Sequence, residues 1–508
     1  MREQGSASSG ENTGLVFMEE KRNSFFRVMR PIVIVFWVMM MGILIQRTYF
    51  IPGDDYIRTS YAESQLRPEE EWMGIYWGKD KVGYTVSEIK KELKGYKIFD
   101  QAIMDLTVMG TQQRIDTQVT SHVDNAFTLK SFEFRLFSNL FTFKANGEVR
   151  GSELHLELLS GGSVNKNIIS LKEVPCLSNS LKPLILSKGL AVGKRFRYTV
   201  FDPSTMSSTP IDMVVEEKEK ISLEDKVIEC YRIKSTFKGI TLKSWIDEEG
   251  NTIKEESPLG LILVKESKAD ALTENWGEKT KDIIAASAIS VDRPITLPNP
   301  SYLKVKLKNV NLKEFDLSQG RQRLKGDVLE IFREKMSGLN PYHIPYQKSD
   351  KTKYLKPSLF IQSEDKLIVE KAREIIKNEV SALEVVNLIN EWVYQTIEKK
   401  PTLSIPSAVD VLKMKVGDCN EHATLFVALC RAVGIPSKLC AGLVYNQGSF
   451  YYHAWSDVFV GGWISVDPTM NQLPADATHI RFVEGGLDKQ LEIIRLIGML
   501  QLEVLNYT

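Results

Sequence analysis

Three residues in the C-terminal part of the chain have the types and order that thiol chemistry needs. Cys419 follows Gly417 and Asp418, His453 comes 34 residues after Cys419, and Asp467 comes 14 residues after His453. In such a set the thiol attacks a carbonyl carbon, the imidazole moves the proton, and the carboxylate orients the imidazole. The sequence therefore predicts a Cys-His-Asp catalytic triad for acyl transfer.

A predicted helix positions the cysteine. The run NEHATLFVALCRAV at 420–433 has apolar residues at steps of three and four, which predicts a buried helix. Asp418 is a good N-cap, and Gly434 and Pro436 are typical of a helix end. Cys419 is thus expected at the helix N-terminus, where the helix dipole stabilises a thiolate and N–H groups can donate to an oxyanion.

A predicted β-hairpin positions the other two residues. The segments 450–460 and 461–469 read as strands, and the Gly-Gly pair between them favours a tight turn. His453 lies on the first strand and Asp467 at the end of the second. Two helices are expected before the cysteine, at 366–380 and 382–400.

These segments closely resemble the core of the transglutaminase-like superfamily, which includes transglutaminases, peptide N-glycanases and many bacterial thiol proteases. The matching stretches are GDCNEHATLFVALCRAVGIPSKL, YYHAW and GGWISVDPT, within about residues 355–475. The resemblance implies an α+β papain-like fold in which the nucleophile opens a helix packed on an antiparallel sheet. It also implies the catalytic roles of Cys419, His453 and Asp467. Asp457 stands where the family often has Glu.

Other candidates for the site are weaker. His422 lies three residues after Cys419 and is an alternative base, but helix geometry is expected to point the two side chains apart. Cys430 and Cys440 lie in apolar segments and are expected to be buried. The remaining histidines are expected to be structural or at the surface: His122, His155, His343 and His479.

The sequence gives no sign of a metal site or a cofactor. Five cysteines without a CxxC pair argue against a zinc ribbon or a dense disulfide scaffold. Cys176 and Cys230 are either a disulfide or two separate buried thiols. The acidic hairpin at 244–257 lacks the spacing of a calcium-binding loop and is interpreted as a solvated turn. We therefore predict that neither metal nor cofactor is required.

The N-terminus predicts a membrane anchor. Residues 1–30 are polar with a basic end and are expected to form a disordered cytoplasmic tail. The next 16 residues carry no charge, and with the following residues they predict one transmembrane signal anchor at 31–51. A cleaved signal peptide is disfavoured because no small-residue cleavage site follows, and a buried core helix because basic residues precede the run. The expected location is the cell membrane, single-pass, with the C-terminal domains extracytoplasmic, either periplasmic or extracellular.

Length and composition indicate a multi-domain protein. The chain has 508 residues, which is too long for one small domain. It has 65 basic and 65 acidic residues, and this zero net charge does not suggest a nucleic-acid partner. Alternating strands predict a β-rich antiparallel domain of unknown role at 60–290, either a sandwich or a strongly curved open sheet. A proline-rich segment at 291–345 is a connection or an extension of the last domain. The transglutaminase-like domain is expected at 346–508.

These predictions combine into a membrane-anchored thiol enzyme. It is expected to act on amide bonds of a protein or peptide substrate through an acyl-enzyme intermediate, as a peptidase or amidase. One alternative is a cross-linking acyltransferase, which needs a site that excludes water and admits an amine. Another is a non-catalytic binding or assembly protein that uses the domain as a scaffold.

Overall fold

The computed structural model describes residues 70–508 except 140, 161–162, 258–259, 274–275, 277–281 and 403. The predicted tail at 1–30 and the predicted anchor at 31–51 lie outside the described residues.

The first half of the described chain contains one large antiparallel sheet. Its 14 strands are β1 (Glu70–Trp77), β2 (Asp80–Glu92), β3 (Gly95–Val108), β4 (Thr111–Val123), β5 (Leu129–Ser138), β6 (Thr142–Arg150), β7 (Glu153–Ser160), β8 (Ser163–Ser170), β9 (Arg195–Asp202), β10 (Ser207–Leu223), β11 (Lys226–Phe237), β12 (Ile240–Asp247), β13 (Thr252–Glu256) and β14 (Leu261–Lys265). Their order is β8-β7-β6-β5-β4-β3-β2-β1-β14-β13-β12-β11-β10-β9.

This sheet is strongly curved. Its strands alternate in burial because one face covers a core and the other is more open, as β5 shows with buried Phe132 and Phe134 between less buried neighbours. Phe132 contacts Phe201 of β9 with ring centroids 5.6 Å apart, although β9 lies at the far edge of the sheet. Strands distant in the sheet order therefore share one core, which also contains Leu184.

Shorter strands build the second half. They are β15 (Ile289–Ser290), β16 (Tyr302–Lys308), β17 (Gln322–Lys325), β18 (Val328–Phe332), β19 (Glu398–Lys399), β20 (Val416–Gly417), β21 (Ser437–Asn446), β22 (Ser449–Phe459), β23 (Trp463–Val466), β24 (Ile480–Glu484) and β25 (Gln501–Tyr507). One sheet has the order β15-β22-β21-β24 with β23 paired to β22, and another has the order β17-β18-β16-β25. β19 and β20 form a short parallel pair.

Of the described helices, the five after residue 360 pack beside the sheet that contains β21 and β22, and the three before it lie against the large sheet. The helices are α1 (Leu181–Ser187), α2 (Lys268–Ala271), α3 (Ile283–Ala286), α4 (Lys366–Ile376), α5 (Ala382–Thr396), α6 (Ala408–Met414), α7 (Cys419–Ala432) and α8 (Leu487–Gln490). Helix α7 contacts α4, α5, α6 and β22. Its residues 421–430 are all buried, so α7 is the central helix of this core.

Strand pairing crosses the predicted domain limits. β15 pairs with β22, and β25 at the C-terminus pairs with β16, which lies in the predicted connecting segment. The limits 60–290, 291–345 and 346–508 stay a prediction.

The predicted fold class is wrong in its N-terminal part. Among the described residues, none of the helices has the length and apolar character required to cross a membrane. The run that suggested an anchor holds 16 uncharged residues, fewer than the about 20 that a spanning helix needs. We therefore withdraw the transmembrane helix, the membrane as a partner and the single-pass location with extracytoplasmic domains. What the structure describes is β-rich, with a large antiparallel sheet.

Candidate active site

A complete cap starts helix α7 at Cys419. The Asp418 side chain accepts a hydrogen bond from the Asn420 N–H at 2.9 Å, and Glu421 Oε2 accepts one from the Asp418 N–H at 2.8 Å. The Asp418 side chain also accepts from the backbone N–H of Glu421, and with the bond from Asp418 N–H to Glu421 this makes a capping box, which fixes where the helix begins. Cys419 is consequently the first residue of α7.

The β22–β23 hairpin brings His453 and Asp467 together. β23 runs antiparallel to β22, and Asp467 follows its last residue. Nε2 of His453 donates to Oδ2 of Asp467 at 2.7 Å, and the two side chains are only 7% and 0% exposed. Water therefore competes little for this hydrogen bond.

The thiol of Cys419 lies next to this pair, in contact with His453. His453 and Cys419 share a side-chain hydrogen bond, and the Ala454 N–H also bonds the sulfur. Since Nε2 of His453 is committed to Asp467, Nδ1 is the ring nitrogen available to the thiol. The structure thus brings together all three residues that the sequence predicts for catalysis.

Opposing influences set the pKa values of His453 and Cys419. Burial alone would lower the pKa of His453, but Asp467 and Cys419 outweigh burial and raise that pKa to about 9. Burial and the Asp418 carboxylate raise the pKa of the Cys419 thiol, and the contact with His453 opposes them. The contact between the two groups therefore favours transfer of the thiol proton to the imidazole, whereas burial and Asp418 oppose formation of the thiolate.

The backbone around Asp467 also holds its carboxylate. Oδ1 accepts from the Thr469 N–H at 2.7 Å and from the Met470 N–H at 3.1 Å. Burial would raise the pKa of Asp467, but the charges and hydrogen bonds of His453 and His479 hold it well below its usual range. Asp467 is therefore a permanent anion at neutral pH.

His479 is a member of the site that sequence reasoning missed. Its Nε2 lies 3.0 Å from Oδ2 of Asp467, and its side chain is 0% exposed. The residue lies after the motif, just before β24, and no spacing rule connects it to Asp467. The packing of β24 beside β21 brings it to the site.

The alternative base is placed elsewhere. His422 is buried, and its Nδ1 donates to the backbone oxygen of Asp418 at 2.7 Å. Asp457 is also separate from the triad, because it accepts from the Ser465 hydroxyl at 2.7 Å and faces Lys438 and Arg481 at 3.5 and 3.6 Å. These contacts of Asp457 stabilise the β22–β23 hairpin.

The other cysteines are free thiols. Cys176, Cys230, Cys430 and Cys440 are buried, so the structure has separate thiols where the sequence left open a Cys176–Cys230 bridge. Burial raises the pKa of Cys430 and Cys440 well above that of an exposed thiol. Cys419 is the one cysteine that is partly accessible within the described chain.

A metal ion fits this site poorly. The ligand atoms of His453, Asp467 and His479 lie within 4.8 Å of one another. However, the Asp467 oxygen is only 2.7 and 3.0 Å from the two imidazole nitrogens. Ligands of a tetrahedral zinc ion, each about 2.0–2.1 Å from the metal, are roughly 3.3–3.4 Å apart. The distances are those of hydrogen bonds, and a cation could enter only by breaking them.

The remaining predicted candidates lie away from the site. His122 and His155 pair with glutamates on exposed strand positions, and His343 forms a bridge with Ser381. The acidic hairpin between β12 and β13 is closed by Asn251, which donates to Asp247. None of these residues contacts the triad.

One comparison with known proteins matches the part of the chain that contains this site. Residues 369–468 match the family model of the Transglutaminase-like superfamily, and this range contains Cys419, His453 and Asp467. The chain therefore carries a transglutaminase-like domain. No curated protein matches the chain.

Solved structures show distant likenesses. One is a protein provisionally described as a cysteine protease from Cytophaga hutchinsonii, with 17% identity over 41% of this chain and 86% of that chain and a TM-score of 0.28. Another is a beta-barrel-like protein of a domain of unknown function from Brucella abortus, with 12% identity over 40% and 96% and a TM-score of 0.32. A provisionally described protease from Parabacteroides distasonis has 10% identity over 69% of each chain and a TM-score of 0.20. At these scores the likenesses carry no argument.

Proposed function

We propose that this protein is a thiol hydrolase that cleaves amide bonds of a protein or peptide substrate through an acyl-enzyme at Cys419. The observation that carries the proposal is the set of contacts in which the Cys419 thiol bonds His453 and His453 donates to Asp467. A thiol at a helix start with an oriented imidazole is suited to acyl transfer. The match of residues 369–468 to the Transglutaminase-like superfamily supports the same chemistry.

The proposed reaction has two steps. In the first, the Cys419 proton passes to Nδ1 of His453, the sulfur attacks the carbonyl carbon, and the C–N bond breaks as His453 returns the proton to the leaving amine. In the second, His453 takes a proton from water as the oxygen attacks the thioester, the C–S bond breaks, the acid leaves, and His453 returns the proton to the Cys419 sulfur. Asp467 stabilises the imidazolium formed in each step.

The start of α7 also supplies a donor for the oxyanion. The Asn420 N–H is used by the Asp418 cap. We therefore assign oxyanion stabilisation to the Cys419 N–H at the first position of the helix.

Cleavage of a peptide library in ¹⁸O-labelled water tests the proposal. We expect the full chain to produce peptides whose new carboxyl groups contain ¹⁸O, because water resolves the acyl-enzyme. Cys419→Ala is expected to produce none, whereas the matched control Cys430→Ala, which removes a buried thiol of the same helix, is expected to cleave like wild type.

Two results would contradict hydrolysis at Cys419. Equal cleavage by Cys419→Ala would place the chemistry elsewhere. Products joined to an added amine, without ¹⁸O incorporation, would identify an acyltransferase instead.

A further inference from the structure

Asp467 holds two imidazoles with one oxygen. Its Oδ2 accepts from Nε2 of His453 at 2.7 Å and from Nε2 of His479 at 3.0 Å. Its Oδ1 is already satisfied by the backbone N–H groups of Thr469 and Met470. His479 is therefore not needed to satisfy a buried carboxylate, and its contact is confined to the oxygen that orients the base.

The His479 ring lies between two carboxylates. Its Nδ1 is 3.3 Å from Oδ1 of Asp476, which also accepts from the Thr478 N–H at 2.8 Å and the Thr478 hydroxyl at 2.6 Å. Gln472 donates to the other Asp476 oxygen at 3.0 Å. An ionised carboxylate only accepts hydrogen bonds, so both nitrogens of the ring act as donors. The arrangement favours a protonated His479.

Packing fixes the plane of this ring. Trp455 contacts His479 edge-on, with centroids 5.2 Å apart and planes at 81°, and the ring of His453 is 5.8 Å away. His479 is 0% exposed, so it has no room for a second orientation. A rigid donor is consequently aimed at Oδ2 of Asp467.

We propose that His479 is a positioning residue that fixes Oδ2 of Asp467 in line with His453 and adds a positive charge behind the carboxylate. It acts through Asp467 and touches neither the thiol nor the substrate. The inference rests on the proposed thiol chemistry at Cys419 and names a residue that this chemistry does not itself require. Asp476 contacts His479 in turn. Five side chains therefore contact one another in sequence, from the Cys419 thiol to Asp476.

The sign of the effect that the His479 charge has on His453 can be derived. Around His453 lie the Cys419 thiol, the Asp467 carboxylate and His479, and around His479 lie Asp467 and Asp476. A positive charge near an imidazole disfavours its protonated form. Removing the charge of His479 while keeping a donor should therefore raise the pH at which His453 loses its proton.

Alkylation of Cys419 by iodoacetamide tests the inference without a substrate. The rate is followed in the full chain from pH 5 to 10 by mass spectrometry of the Cys419 peptide. The step in the pH profile that is lost in His453→Ala is assigned to the ionisation of His453. The variants are His479→Gln, whose amide N–H can replace Nε2, His479→Phe, which keeps a ring without a donor, and the matched control His122→Gln on an exposed strand.

We expect His479→Gln to keep the maximal rate within about threefold and to move the His453 step to higher pH. We expect His479→Phe to lower the maximal rate about tenfold or more, because a misaligned base transfers the proton poorly. His122→Gln should match wild type. If His479→Phe does not fold, the pH shift of His479→Gln tests the inference alone.

Three outcomes separate the possible failures. If His453→Ala alkylates like wild type, the proposed function itself fails. If His453→Ala differs but both His479 variants retain the wild-type profile, His479 is structural and the inference is overturned. If chelation by EDTA removes the wild-type profile and zinc restores it, the three residues hold a metal and the positioning role is likewise overturned.

Discussion

The pair formed by His453 and Asp467 links the proposed catalysis to stability at the scale of single residues. The folded protein binds the His453 proton more tightly than the unfolded chain does, because Asp467 and Cys419 raise the pKa of His453 from 6.5 to about 9. Between these pH values the folded state holds more protons, so its stability must fall as the pH rises. The stabilisation is fully present below pH 6.5 and is lost as the pH rises through about 9.

A pH series should reveal this linkage. We expect the free energy of unfolding of wild type to exceed that of His453→Gln by a margin that is largest near pH 6 and decreases up to pH 9.5. Urea denaturation of both proteins at several pH values measures the margin, and the contributions of groups that do not contact His453 cancel. A margin that does not change with pH would show that His453 has an ordinary pKa.

The three residues predicted as a triad lie together in the structure, and their catalytic role stays a prediction. Cys419, His453 and Asp467 could be predicted because their neighbours form local patterns: a cap before a helix and a Gly-Gly turn between two strands. His479 could not be predicted, because its contact with Asp467 depends on the pairing of β24 with β21. Such pairing joins distant segments, and residue spacing does not determine it.

At the scale of elements, a close approach of two segments determines how α7 ends. Gly434 has a φ of +82°, and a Cβ at this position would lie 2.3 Å from Cβ of Pro345. The Gly434 carbonyl also accepts from the Tyr346 N–H at 2.9 Å. The glycine therefore ends the helix and lets the 345–346 segment pack against it.

Gly434→Ala should consequently destabilise the protein by two mechanisms. We expect a loss of about 2–4 kcal/mol, from the strained backbone and from overpacking against Pro345. The control is Gly448→Ala in the β21–β22 turn, where φ is +97° but nothing lies within 4 Å of the added Cβ. Its loss should be about 1–2 kcal/mol. Equal losses in urea denaturation would mean that the contact with Pro345 is unimportant.

Element limits show where local patterns stop being sufficient. Helix α4 ends at Ile376 rather than 380, because Lys377 has a φ of +53°. Helix α5 ends at Thr396 rather than 400, because Glu398–Lys399 pairs with Val416–Gly417. In the second case a contact with a distant segment overrides helical periodicity.

At the scale of the whole molecule, the large sheet supports the start of helix α7. Ile405 is 4% exposed and belongs to the core beneath the sheet, where Phe360 contacts Phe143 with ring centroids 6.4 Å apart. The preceding residue, Ser404, donates to Glu421, which completes the cap of α7. A single loop thus connects the core of the sheet to the position of Cys419.

Ile405→Ala should therefore affect both stability and reactivity. We expect a loss of about 2–5 kcal/mol in the free energy of unfolding, as for other buried isoleucines. We also expect slower alkylation of Cys419, because Ser404 would hold Glu421 less firmly. Ile168→Ala, at a position 60% exposed on β8, is the control and should change stability by less than about 0.5 kcal/mol. Unchanged alkylation would show that the sheet does not support the site.

The global arrangement was the least predictable part of the molecule. Alternation of apolar and polar residues predicted antiparallel strands in the 60–290 region, because one face of each strand is more buried than the other. The strand order, which places β1 beside β14, depends on pairing between segments that are far apart in the sequence. The contact between β5 and β9 also joins segments that are far apart in the sequence. The membrane anchor was inferred from one apolar run that was short for a spanning helix, and the prediction was wrong.

Trapping the acyl-enzyme tests the proposed chemistry at Cys419. The full chain is mixed with an activated peptide ester, quenched in acid within its first turnover, and digested for mass spectrometry. We expect a thioester on the Cys419 peptide of wild type, its accumulation in Asp467→Asn at a much lower rate, and none in Cys419→Ala. An acyl group on any other residue, or none on Cys419 while the ester is consumed, would contradict that chemistry.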